Sequence, residues 1–142
     1  MKALLVLILL FSVSVAAAAE KTTRVVGSVS DILIARPPHL EFVEIFLRIH
    51  SPSDLSGTTL VLITNTRDRG RVRSQMPLGS LYEVTLPEST CVDLKRQREH
   101  QERFEKSVDQ GTPPEIISDA VELTQIRLAD LPVPLAPFPL KP

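Results

Sequence analysis

The segment Arg67-Asp68-Arg69-Gly70-Arg71-Val72-Arg73 carries the most chemistry of any stretch in this chain. It holds four guanidiniums and one carboxylate, a local charge of +3 in a chain whose formal net charge is −1. Guanidinium groups bind phosphate or carboxylate through paired N–H donors, so several in one segment can surround a polyanion. The segment directly follows an apolar run, which predicts an exposed loop, with Gly70 permitting a tight turn. Arg48, Phe42 and Phe46, on an earlier strand, would supply a shallow face beside it. Aromatic stacking flanked by Arg suits single-stranded nucleic acid. A lipid phosphate, an acidic glycan or an acidic protein surface is equally compatible with the loop. The competing interpretation is a solvated hairpin tip that only confers solubility, with Phe42 and Phe46 covered by a helix through Phe104.

Catalytic and metal chemistry finds little support. His39, His50 and His100 are scattered, with no HxxxH or HExxH spacing for zinc. Cys91 and His100 are nine positions apart, more than two helical turns, and would not meet on one helix. No GxSxG, phosphate-binding or dinucleotide-binding loop is present. The chain is therefore expected to be no enzyme and to need no metal or cofactor. Cys91 is the only cysteine, so an internal disulfide is impossible. It reads as a partly buried small hydrophobe at a helix start, or else as a thiol that pairs with another chain.

These residues must be held by five strand-like segments. Arg24 to Ala35 is β-rich and has apolar residues in both alternating sets, as a long strand would if it bent at Gly27 and changed its buried face there. Glu41 to His50 alternates cleanly. Val43, Ile45, Leu47 and Ile49 form one face, and Phe42, Glu44, Phe46, Arg48 and His50 the other. Thr58 to Thr66 looks buried on most of both sides. Leu81 to Leu86 is short, and Asp119 to Leu128 changes apolar phase between Leu123 and Ile126. A helix is expected over Cys91 to Val108, capped by Ser89 or Thr90 and ended by Gly111 and Pro113-Pro114. Its thin stripe of Leu94, Phe104 and Val108 suits a surface helix.

The chain ends differ from this middle. Lys2, the uncharged run Ala3 to Val15 and Ala16-Ala17-Ala18-Ala19 form the three-part pattern of a secretory signal over residues 1–19, with the short basic region of a bacterial one. An uncleaved anchor is the alternative. Cleavage would leave 123 residues (142 less 19), enough for one domain over 20–130. It would also leave no stable membrane span, and a periplasmic or secreted location. After cleavage 15 basic and 17 acidic residues remain, a balance that argues against a protein built mainly to coat nucleic acid. Residues 131–142 hold Pro at 132, 134, 137, 139 and 142, which predicts an extended tail. The tail would be either a strap over the domain or a partner-binding segment.

The long first strand with its Gly, the strongly alternating second strand, the third strand after a short polar turn and the closing stretch VELTQIRLADL resemble an OB-fold over about Arg24 to Leu128. The resemblance implies a mainly β, five-stranded barrel that binds an oligonucleotide or oligosaccharide on an outer face. One departure stands out, since the helix falls after the fourth strand rather than before it. Another small β-barrel or sandwich with an inserted helix is the alternative. The functional expectation is an exported binding module contacting an anionic macromolecule or surface through Arg67, Arg69, Arg71 and Arg73, supported by Arg48, Phe42 and Phe46. Nucleic acid fits the chemistry but is not favoured outside the cytoplasm. The rival expectation is a structural or inhibitory module that docks a partner protein with the Pro-rich tail or a strand edge.

Overall fold

A computed structural model of the chain describes residues 19–34, 42–111 and 122–139. The signal pattern up to Ala18, His39, Glu41, the stretch 112–121 and the last three residues lie outside the described residues. The elements in chain order are β1 (Thr22–Ile34), β2 (Val43–Ser51), β3 (Thr59–Ile63), α1 (Arg69–Gln75), β4 (Leu81–Pro87), α2 (Glu88–Asp109), β5 (Thr124–Arg127) and β6 (Ala136–Pro137), with one 3-10 turn at Leu128–Asp130.

The period-two pattern of the second segment decides the sheet. Val43, Ile45, Leu47 and Ile49 are all 0–1% exposed, and they meet Leu60 and Leu62 of β3 and Val25, Val29 and Ile32 of β1 in one core. Burying each such aliphatic contributes about 1.5–3 kcal/mol. On β3, Leu60, Val61 and Leu62 are all buried, as expected for a strand covered on both sides. Gly27 faces the core opposite Ile49. A Cβ there would lie 3.1 Å from the Arg48 carbonyl oxygen and 3.2 Å from Ile49 Cδ1, so the glycine admits a close backbone approach. The buried face of β1 changes three residues later than predicted. The change falls at a bulge between Val29 and Asp31, where Ser30 is the extra residue.

The sheet order is β5-β3-β2-β1-β4-β6, with β3 and β5 parallel and the other neighbours antiparallel. This corrects the expectation of a five-stranded barrel: among the described residues the sheet has six strands and is not closed. The reason lies in the prolines. After β5 the chain turns at Leu128–Asp130 and runs to the opposite edge, where Ala136–Pro137 pairs with β4 and Phe138 N–H donates to the Leu81 carbonyl at 2.9 Å. Leu128, Leu131 and Leu135 pack against the core on the way. The Pro-rich segment is thus a strap joining the two ends of the sheet order. Proline is tolerated there because an edge position needs no second donor.

The described residues hold two helices, one more than expected. α2 runs Glu88–Asp109, starting directly after β4 with Pro87 as its cap residue. Ser89 and Thr90 therefore lie in its first turn and not at the cap. Cys91 and Leu94 enter the core, whereas Phe104 and Val108 are exposed, so the expected apolar stripe is real only in its first half. Gln97 is the buried continuation. Its carboxamide nitrogen donates to Thr124 Oγ1 (3.2 Å) and the Thr59 carbonyl (3.1 Å), and its oxygen accepts from Thr59 N–H (3.3 Å). This orientation satisfies both ends of the amide, which the reverse does not. α2 is thereby bound to the ends of the sheet where β3 and β5 begin.

Candidate functional site

The Arg-rich segment is a short helix and not a loop. Asp68 accepts a hydrogen bond from Arg71 N–H at 2.9 Å, the N-terminal cap that holds the first turn. Val72 and Met76, four apart, are buried in the core, and Tyr82 Oη donates to the Gln75 carbonyl at 3.1 Å. One face of α1 is anchored, and the other carries the guanidiniums.

The four arginines do not play one role. Arg69 Nε donates to the Ile32 carbonyl at 2.9 Å. β4 pairs with β1 only as far as Ser28, so that carbonyl lies beyond the reach of the β4 ladder and takes its donor from a side chain instead. Arg71 and Arg73 are exposed and form no ion pair among the described residues. Arg67 is exposed at the approach to the helix and has an interaction of its own.

The remaining residues of the predicted set line up along β2. Phe42, Glu44, Phe46 and Arg48 alternate with the core residues, the first three half-buried and Arg48 exposed. At about 3.3 Å per residue, Phe42 and Arg48 are roughly 20 Å apart. Val43 sits beside the β3 end that leads to α1, through hydrogen bonds with Thr64 and Thr66. Arg48 pairs with Thr59 at the opposite end, where α2 lies. The structure therefore puts Phe42 nearest the α1 end, and Arg48 far from it. Glu44 places a carboxylate between them.

Arg48 instead joins residues the sequence reading did not group with it. It lines a cleft of about 400 Å³ together with Phe104 and Gln101 of α2, Thr59 of β3, Ser30 and Leu123. Phe104 belongs to the thin apolar stripe expected of a surface helix, and it is 43% exposed. The missed signal is helix length: 22 residues span about 33 Å, more than this short sheet can cover, so the second half of α2 projects beyond the core. Polar Gln97 and Gln101 in the seam mark where that happens.

The other candidates stay separate. His50 Nε2 and Ser28 Oγ are hydrogen-bonded at 2.7 Å on the exposed sheet face. His100 Nδ1 is buried with no partner among the described residues. The Cys91 thiol is buried, and burial pushes its pKa up, partly offset by a hydrogen bond with Thr23. Among the described residues no group of three His, Cys, Asp or Glu could hold a metal ion, and no helix is long and apolar enough to cross a membrane. Comparison with protein-family models, curated proteins and solved structures gave no match to this chain.

Proposed function

We propose that the chain is an exported, non-enzymatic binding module that contacts an anionic macromolecule or surface through the guanidiniums of α1. The observation that carries this reading is the state of Arg71 and Arg73: exposed, without an acidic partner among the described residues, on a helix anchored by Val72 and Met76. A solubilising charge needs no such mounting. Cations on a pre-ordered element lose less conformational entropy when they bind. Arg69 orients the helix and keeps further N–H donors. Export rests on the residue 1–19 pattern. The OB-like resemblance of the sequence supports the same class of function, since OB-folds bind oligonucleotides and oligosaccharides.

The test is retention on immobilised heparin as salt is raised. Retention that falls with salt, and is lost in the Arg71→Ala/Arg73→Ala double variant at unchanged thermal stability, is expected. Equal elution of variant and parent would overturn the reading. The rival partner-protein reading has less support in its tail form, because the described tail is occupied on β4.

A further inference from the structure

We propose that the cleft between the projecting half of α2 and the outer side of β2 and β3 binds a small aromatic or alicyclic carboxylate. The site lies at the far end of β2 from α1 and stands independently of the polyanion reading.

Three observations converge on it. First, Arg48 makes no ion pair or side-chain hydrogen bond among the described residues. Its cross-strand neighbours are Ser28 and Thr59, neither of them acidic. No Asp or Glu is among the described residues that line the cleft, and Arg48 is the one cation among them. The other groove on α2 differs in this respect. There Lys95 pairs with Asp54 at 3.2 Å and Arg98 with Glu102 at 3.0 Å, so its cations are already neutralised. Second, Phe104 is 43% exposed, one turn before the exposed Val108, and it borders the same space. Such a ring offers a flat apolar wall to a second ring. Third, the volume of about 400 Å³ falls in the range of small-ligand sites, and Phe104 and Leu123 give the cleft apolar wall beside its polar groups.

The chemistry of the occupant follows from these walls. The Phe104 ring and the Leu123 side chain favour a body of carbon rings. A single guanidinium favours one carboxylate, held through two parallel N–H donors. Thr59 and Ser30 offer hydroxyls at the rim. Ser30 Oγ already donates to the Phe46 carbonyl at 3.1 Å, so it keeps accepting capacity only. The Gln101 amide nitrogen donates to Glu105 at 3.1 Å, which leaves its carbonyl oxygen as an acceptor. The Ser30 and Gln101 acceptors suit a ring substituent that donates a hydrogen bond, and the single guanidinium suits one carboxylate.

The experiment is a fluorescence titration of the full chain with 1-naphthoate, repeated with the uncharged 1-naphthamide. The chain has no Trp and one Tyr, so the probe is observed with little background. Saturable naphthoate binding, about tenfold or more tighter than the amide, is expected. Arg48→Ala should remove that preference, Phe104→Ala should weaken both ligands, and Arg48→Lys should restore part of the preference. Both residues are exposed, so matched melting curves are expected for the variants. Arg71→Ala/Arg73→Ala should bind naphthoate normally, which separates this site from the polyanion surface. Equal affinity for acid and amide, titrations unaltered by Arg48→Ala and Phe104→Ala, or no saturable binding in the millimolar range would each overturn the proposal.

Discussion

Removing the strap should cost a measurable part of the stability of the fold. A chain truncated after Asp130 loses Leu131 and Leu135, both half-buried against the core, and the Phe138 N–H to Leu81 hydrogen bond. Half-burial of two leucines contributes about 1 kcal/mol each, and the hydrogen bond about 1 kcal/mol more. Freeing the segment returns some entropy, but less than usual, because proline has little backbone freedom to regain. The net loss is about 2–3 kcal/mol, a substantial share of the 5–15 kcal/mol typical of a domain. For a domain of this size that corresponds to a melting temperature lower by roughly 10 °C. Circular dichroism melts of the full and truncated chains measure it directly. Light scattering supplies a second readout, since truncation exposes the β4 edge around Tyr82 and Glu83 and should promote association. Equal melting temperatures and unchanged light scattering would refute the assignment of residues 131–139 as a structural element.

Two further outcomes separate structural from surface roles. Arg69→Ala should destabilise by about 1–2 kcal/mol in urea unfolding, because it leaves the Ile32 carbonyl without its donor, whereas Arg71→Ala should stay within about 0.5 kcal/mol of the parent. Similar losses for both would contradict the division drawn between them. For Cys91, a thiol pKa raised in the folded state favours the protonated form there. Its stabilising effect is fully present below the ordinary thiol value of about 8.5 and is lost as pH rises above it. Stability measured across alkaline pH should fall more steeply for the parent than for Cys91→Ala, and parallel curves would count against a buried thiol.

The core was legible because β2 obeys a strict alternation. Val43, Ile45, Leu47 and Ile49 have one buried face available to them, and the structure uses it. α1 was not legible as a helix because only Val72 and Met76 mark its buried side, and a seven-residue element with Gly70 in it carries little periodic signal. Its cap at Asp68 was visible but was read as part of a charged loop. The strap was hidden for a related reason. Prolines mark a segment as irregular without telling whether Leu131 and Leu135 pack, because that depends on where the β4 edge lies in space. The predicted binding set was split by distance: residues adjacent on a strand face run along it, so Phe42 and Arg48 serve opposite ends. Phe104 falls outside that set because helical spacing alone does not show where the sheet beneath a helix ends.

The parallel pairing of β3 with β5 has a consequence for how the chain is made. Leu60 lies beside Thr124 in the sheet, with more than half of a domain's worth of chain between them. During synthesis the antiparallel group of β1, β2, β3 and β4 is complete well before residue 124 leaves the ribosome. Until then one flank of β3 has nothing to zip against, and closing so long a loop is slow compared with forming hairpins. That flank of β3 is covered only once Thr124–Arg127 has been made and has closed the loop.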